Sequence, residues 1–299
     1  MPAAKSEFRV SPLATIEDLT TTHCPEYVAR FLRGDQTEAE QRNVGFPWSE
    51  AGADRAISSV GGTVAAACAV CDDVRDRRNR LRQGVEEGGS DDSPRPFLSW
   101  SAHVAGGTHH AFRDRGEGFC IFSDIAVAAN VALLRYPDVV RRILVLDLDV
   151  HQGNGNAVLF DGRDDVMTFS MHCRANYFSE KQRSDLDVEL PEGCTDETYL
   201  LTLQHWLNQI RDKGGTYDLI FYQAGVDVLK EDRLGKMSLS KRGSGRRNEL
   251  VFKFVEEMGV PLVITMGGGY PRDNWEPILE AHADVYFQAH QFLGRHRER

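Results

Sequence analysis

The chain has 299 residues, of which 41% are hydrophobic, and a formal net charge of −10 at pH 7. This length and apolar content suffice for one large buried core. The acidic balance argues against direct nucleic-acid binding, which usually needs a basic face, and suits cationic partners such as lysine-rich protein tails.

The cysteines and the apolar runs bear on the compartment. Six cysteines are scattered without a pairing rhythm, as expected in a reducing environment. Cys68 and Cys71 form a CxxC pair, but the surrounding TVAAACAVCDDV predicts a helix, so we interpret both as packing residues. No signal-peptide run and no stretch of 18 apolar residues is found. We expect a soluble intracellular protein; the sequence does not distinguish cytoplasm, nucleus and organelle.

Short apolar runs that end in Gly, Asp or His predict buried parallel strands. They span 97–107, 141–151, 165–172, 217–227 and 260–269. Helical patterns lie between or after them at 122–136, 196–213 and 248–259. The alternation predicts an α/β fold with a parallel central sheet and helices on both faces, whose sites lie at the carboxyl ends of the strands. Residues 78–96, rich in charge, Gly, Ser and Pro, predict a flexible insertion.

Acids and an imidazole end two of the predicted strands. Asp147, Asp149 and His151 share one side of an extended chain, because side chains alternate with period two. Burying a carboxylate costs free energy unless it is paired or binds a metal, so we predict that Asp149 and His151 are two ligands of one metal ion. Asp227 ends the strand at 217–227 and supplies a third ligand. Two carboxylates, one imidazole and an open position indicate a catalytic metal site, and the spacing alone leaves zinc, manganese and iron open.

Two glycine-rich turns carry further candidate catalytic residues. The adjacent His109 and His110 in GGTHH are unlike core residues, and one of them is a candidate general base. In GGGY, three glycines allow a close backbone approach and expose the Tyr270 hydroxyl as a candidate oxyanion donor. A phosphate-binding loop is disfavoured, since no GxGxxG is completed and the strand-end acids would repel phosphate.

Five motifs in this order resemble the histone deacetylases of the arginase/deacetylase superfamily, most of all class IV and its bacterial relatives. They read GGTHHAFRDRGEGFC, LDLDVHQGNG, FSMH, QAGVDVLKEDRLG and GGGY. The resemblance covers residues 18–290 and is strongest from 104 to 270. It implies an arginase/deacetylase-like fold and zinc-dependent hydrolysis of N-acylated lysine in proteins.

The resemblance also implies a role for each residue around one catalytic zinc ion, which would polarise the amide carbonyl and lower the pKa of its bound water. The matched zinc ligands are Asp149, His151 and Asp227. His110 matches the general base, His109 its electrostatic companion held by Asp147, and Tyr270 the hydroxyl that stabilises the oxyanion. The expected partner of His110 is Asn154, where class I members carry an acid, so we expect a weaker base.

The substrate channel and a second ion follow from the same resemblance. Phe119 and Phe178 match the aromatic walls of a narrow acyl-lysine channel. Leu234 matches a position at the channel mouth where polyamine-specific relatives carry a glutamate, so leucine favours acyl-lysine substrates. A structural potassium site is matched by Asp147, Ser170 and Met171.

Three other functions stay open at this point. They are an acetylpolyamine or small-amide deacetylase, a non-catalytic acyl-lysine-binding scaffold, and an arginase-like binuclear manganese enzyme. The manganese enzyme would need further acids near His109 and Asp227, which the sequence does not offer. We expect one deacetylase-like domain over residues 1–299 that lacks the family's first strand. The expected partner is an acylated lysine-containing protein or peptide, with no nucleic acid and no membrane.

Overall fold

The fold is built around one parallel sheet. The computed structural model describes residues 7–83, 98–177, 180–213 and 215–294. Its strands are β1 (Trp100–His103), β2 (Ile143–Asp147), β3 (Val166–Cys173), β4 (Leu186–Leu190), β5 (Leu219–Gln223) and β6 (Leu262–Thr265). They form one sheet in the order β1-β6-β5-β2-β3-β4, and every neighbouring pair is parallel. The predicted α/β fold with a parallel central sheet is confirmed.

Helices cover both faces of this sheet. They are α1 (Ile16–Thr20), α2 (Pro25–Arg33), α3 (Glu38–Val44), α4 (Glu50–Arg82), α5 (Asp124–Arg135), α6 (Asn154–Leu159), α7 (Asp196–Lys213), α8 (Lys241–Met258) and α9 (Glu276–Leu293). In β2, Leu144 and Leu146 pack with α7, α8 and α9, whereas Ile143 and Val145 pack with α4 and α5. Two covered faces explain why these strands are continuous apolar runs rather than alternating ones.

Each of the five predicted strands overlaps an observed strand, but several other elements differ from prediction. The edge strand β4 was not predicted, although its sequence LDVEL alternates apolar and polar residues, which is typical of a half-buried strand; it lacks the continuous apolar run of the other strands. The helix α9 was also not predicted. The helix α8 begins at Lys241 rather than at 248, with Ser240 as its N-cap. Its first turns, KRGSGRR, lack an apolar face in the sequence.

The long helix α4 is a core element. Among the described residues it is the one helix long and apolar enough to cross a membrane, yet half of its apolar window is buried. It packs against α5 and β1, and a Cβ on Gly62 would lie 2.3 Å from the His103 ring. Cys68 and Cys71 lie within α4; Cys71 belongs to the hydrophobic core and the partly buried Cys68 packs against it, as predicted.

The first residues of the predicted insertion, 78–82, form the last turns of α4. The helix α4 continues through residues 78–82, because its charged C-terminal turns lie along the surface, where Arg75 pairs with Asp138. The rest of the predicted insertion, residues 84–96, lies outside the described residues. Its flexibility stays a prediction.

Candidate active site

The loops that follow four neighbouring strands meet at one edge of the sheet. They are the tandem-histidine turn after β1, the Asp149–His151 turn after β2, the loop with Asp227 after β5 and the GGGY turn after β6. Parallel strands place all their carboxyl ends at the same edge, which brings residues far apart in the chain together. The candidate residues therefore converge at the carboxyl ends of the strands, where the site was predicted.

Three predicted metal ligands lie within contact of one another. Asp149 Oδ1 is 3.0 Å from His151 Nδ1, and Asp227 Oδ2 is 3.1 Å from the same nitrogen. All three side chains are buried, and one ligand atom from each lies within 4.8 Å of the others. Donor atoms arranged tetrahedrally at typical zinc bond lengths stand roughly 3.3–3.6 Å apart. The donor types and their spacing therefore fit a zinc ion after small adjustments.

The charges of this group also call for a cation. Burial raises the pKa of the Asp227 carboxyl, and the neighbouring Asp149 adds to the rise. Burial opposes the charging of His151, but its hydrogen bonds to Asp149 and Asp227 outweigh that effect and raise its pKa to about 10. Two buried carboxylates thus share the charge of one protonated imidazole. A divalent ion bound in place of that proton would neutralise both carboxylates.

Glycines let the backbone close around the carboxylates. A Cβ on Gly268 would lie 2.3 Å from Asp227 Oδ2 and 2.8 Å from Asp149 Oδ2, and one on Gly225 would lie 2.3 Å from Asp149 Oδ2. The Gly268 N–H donates to Asp149 Oδ2 at 2.9 Å. Any side chain at these two positions would displace a ligand candidate, which is the physical reason for glycine at 268, in GGGY, and at 225.

The tandem histidines each contact the partner expected from the resemblance. His109 Nδ1 is 2.6 Å from Asp147 Oδ2, and His110 Nδ1 is 2.7 Å from Asn154 Oδ1. Burial opposes the charging of His109, but the nearby Asp147 and Asp149 raise its pKa to about 9. Burial lowers the pKa of His110, and His109 and His151 lower it further. A charged imidazole thus lies beside a neutral one; the catalytic roles stay predictions.

Tyr270 and Phe119 flank the site on its accessible side. The Tyr270 ring lies 6.5 Å from the His151 ring and 5.9 Å from the Phe119 ring, between centroids. Burial raises the pKa of the Tyr270 hydroxyl, and Asp149 and Asp227 add to the rise, so the hydroxyl remains a proton donor. Phe178, the other predicted wall, lies outside the described residues.

Leu234 lies in the loop after Asp227, next to a buried acid. The Asp232 carboxylate accepts hydrogen bonds from the backbone N–H groups of Leu234, Gly235 and Tyr270, at 2.8, 2.7 and 2.6 Å. Asp232 is fully buried, so its charge is directed inward, away from solvent. It links the Leu234 loop to the turn that carries Tyr270.

The three residues of the predicted potassium site are adjacent. Asp147 and Ser170 are register partners on β2 and β3, and Met171 follows on β3. The Asp147 carboxylate also accepts the Asp149 N–H at 3.1 Å. Potassium binding at these buried residues stays a prediction.

Two buried residues that hold the site loops were not predicted from the sequence. Gln223 ends β5; its Nε2 donates to Asp149 Oδ2 at 3.1 Å, and its Oε1 accepts the Gly225 N–H at 2.8 Å. Asp124 accepts hydrogen bonds from the N–H groups of Gly107 and Thr108, before the tandem histidines. A polar residue at the end of an apolar strand was the available signal for Gln223. Asp124, in the first turn of α5, looks like an ordinary helix N-terminal acid.

A third missed residue, Arg247 of α8, lies fully buried beneath the ligand loops. Its guanidinium donates to the carbonyls of Gly225, Ala224 and Leu148, at 2.5, 3.3 and 3.4 Å. Leu148 precedes one metal-ligand candidate, and Ala224 and Gly225 precede another. The sequence gives no local sign of this role, because KRGSGRR is typical of an exposed segment.

We expect Arg247→Met to lower the free energy of unfolding by about 3 kcal/mol or more, because it leaves buried carbonyls without donors that cost roughly 1–3 kcal/mol each. Urea denaturation measures this loss. The matched control is Arg246→Met, because the neighbouring Arg246 is exposed and pairs with Glu249 at the surface. Equal stability of the two variants would contradict the role of Arg247.

A family model and individual proteins both match this chain. The family model described as "Histone deacetylase domain" matches residues 3–286. An uncharacterized protein of Picosynechococcus is 40% identical over 255 residues, which cover 85% of this chain and 76% of that protein. Histone deacetylase 2 of Arabidopsis thaliana is 34% identical over 185 residues, or 61% of this chain. The chain spans 47% of that relative, about half its length.

Solved structures agree on the fold. A histone deacetylase homologue complexed with SAHA superposes with a TM-score of 0.73 at 24% identity, over 94% of this chain and 72% of the other. The HD domain of HDA15 gives a TM-score of 0.68 at 22% identity, over 94% of this chain and 76% of the other. At these identities the likeness concerns the fold alone. Because the family model matches nearly the whole length of this chain, the chain belongs to the histone deacetylase family.

Proposed function

We propose that this chain is a zinc-dependent deacylase that hydrolyses the amide bond of N-acylated lysine side chains in proteins. The observation that carries the proposal is the buried group of Asp149, His151 and Asp227, with His110 and Tyr270 beside it. When bound to these ligands, zinc would polarise the amide carbonyl and lower the pKa of a water molecule. A structural potassium ion near Ser170 belongs to the same proposal.

The chain's own residues would handle the proton and the developing charge. With its Nδ1 directed to Asn154, His110 would accept a proton from the attacking water at Nε2 and then deliver it to the leaving lysine amine. The low pKa of His110 favours a neutral, proton-accepting ring before the reaction. His109, charged beside Asp147, adds positive potential. The Tyr270 hydroxyl would donate to the oxyanion.

In this proposal a channel between solvent and the ligands would admit the lysine stem. The half-exposed ring of Phe119 would form one wall, and Leu234, partly accessible in the loop after Asp227, would contribute an apolar side chain near the mouth. Because the Asp232 carboxylate is buried and fully engaged by backbone donors, it does not replace the glutamate of polyamine-specific relatives. This arrangement favours acyl-lysine peptides over acetylated polyamines.

We therefore expect a higher kcat/KM for acetyl- or longer acyl-lysine peptides than for acetylspermidine. Leu234→Glu should lower the ratio of these two kcat/KM values by at least about fivefold. The reason is that roughly 1 kcal/mol of attraction to the second ammonium group of acetylspermidine is gained even in a solvent-exposed site. Steady-state assays of the purified, zinc-loaded protein measure both ratios.

The control for Leu234→Glu is Leu201→Glu, which adds the same charge at an exposed position on α7. This control should leave the ratio unchanged. Wild-type protein that prefers acetylspermidine would overturn the substrate assignment. Zinc-loaded protein that binds acyl-lysine peptides without hydrolysing them would favour the non-catalytic scaffold.

A further inference from the structure

Phe119 occupies a backbone conformation that phenylalanine rarely adopts. Its φ is 67°, and it is the one non-glycine residue with positive φ in the part of the chain that the structure describes. Gly118 before it has a φ of 52°. Glu117 and Cys120 exchange two backbone hydrogen bonds of 2.9 Å around the pair, so Gly118 and Phe119 form a tight two-residue turn. Glycine, asparagine or aspartate usually fills such positions.

The turn is held by the C-terminus of α3. The Gly118 N–H donates to the Asn43 carbonyl at 3.0 Å, and the Phe119 N–H donates to the Val44 carbonyl at 2.8 Å. The last carbonyls of a helix lack partners within the helix, so each element satisfies polar groups of the other. The contact fixes the Phe119 backbone relative to α3.

Gly45, which ends α3, lies directly behind the Phe119 ring. Gly45 has a φ of 98°, and a Cβ on it would lie 2.8 Å from Phe119 Cε1 and 3.0 Å from Cδ1. On another side the ring approaches Tyr270, with 5.9 Å between centroids. A side chain at position 45 would therefore push the ring away from α3.

We propose that Gly45 is a specificity-determining position that sets the width of the substrate channel through Phe119. The lysine-stem part of this inference rests on the proposed function. Glycine at position 45 lets the ring lie back against α3 and leaves room beside Tyr270. A side chain there narrows this passage, while His110 and Tyr270 keep their own supports.

The test compares Gly45→Ala with wild type, using an acetyl-lysine peptide and zinc-loaded protein. We expect KM to rise about tenfold and kcat to change less than about threefold, because the stem loses fit while the reacting groups stay in place. Gly45→Asn is the second variant, since asparagine tolerates positive φ best and places a Cβ at the same point.

Gly162→Ala is the matched control, because Gly162 has a φ of 70° and a Cβ there meets nothing within 4 Å. This control places a side chain at a positive φ without the steric push, so KM should not change. Combining Gly45→Ala with Phe119→Ala removes the clashing ring, and the double variant should have the KM of Phe119→Ala alone. A KM effect of Gly45→Ala that persists without the ring, or one that Gly162→Ala shares, overturns the proposal.

A second measurement does not depend on activity. In metal-free protein, Gly45→Ala should lower the Tm more in the wild-type background than in the Phe119→Ala background, where only the backbone strain remains. Equal Tm losses in both backgrounds would show that Gly45 does not act on Phe119, whatever the substrate. Wild-type protein that does not hydrolyse acyl-lysine peptides, but shows this coupling, would count against the proposed function alone.

Discussion

Replacing Asp227 by alanine is expected to remove the bound metal and to lower the rate of acyl-lysine hydrolysis by at least about 10³-fold, because Lewis-acid catalysis lowers the barrier by several kcal/mol. The fold should survive. Loss of the carboxylate leaves the Val150 N–H without its acceptor at 2.9 Å, but it also removes the repulsion between two buried acids. Elemental analysis gives the zinc content per chain, and circular dichroism checks the fold.

Two further variants are compared with Asp227→Ala. Asp227→Asn keeps an oxygen for the Val150 N–H while removing the charge, so it separates metal loss from local unfolding. Asp161→Ala removes an exposed carboxylate elsewhere and should change neither zinc content nor rate. Active wild-type protein without a transition metal would contradict the proposed mechanism, and so would an Asp227→Ala variant that retains both zinc and activity.

The site could be located from the sequence because its residues follow a simple physical pattern. Apolar strands covered on both faces have no reason to end in charged groups, so Asp147, Asp149 and Asp227 stood out as each strand ended. The parallel sheet then brings those ends to one edge. Glycines in GGGY marked a close approach of the backbone, and the structure places the carboxylates against it.

The supporting residues could not be predicted, because their meaning depends on contacts between distant parts of the chain. Arg247 donates to carbonyls 22, 23 and 99 residues away along the chain. Asp124 has the local appearance of a helix N-terminal acid, and only the fold brings it to the Gly107–Thr108 turn. The edge strand β4 is a different case, because the alternation of apolar and polar residues in LDVEL was an available signal.

Tyr270→Phe is expected to lower kcat by about 10²–10³-fold, the usual loss when one oxyanion donor is removed from a buried site. The substitution deletes a single oxygen and keeps the ring that packs against Phe119 and His151. Zinc content should be unchanged, because Tyr270 is not among the ligand candidates. The backbone position should also hold, since the Tyr270 N–H remains bonded to Asp232.

The pattern across kinetic constants distinguishes an oxyanion donor from a substrate-packing residue. A donor that acts only on the transition state lowers kcat and kcat/KM equally and leaves KM nearly unchanged, whereas lost packing raises KM. Tyr286→Phe is the matched control, because it removes a hydroxyl of α9 that donates to the carbonyl of His103 at the end of β1. It should leave kcat unchanged. A Tyr270→Phe variant with wild-type kcat would mean that another group stabilises the oxyanion or that a step other than the chemistry limits the rate.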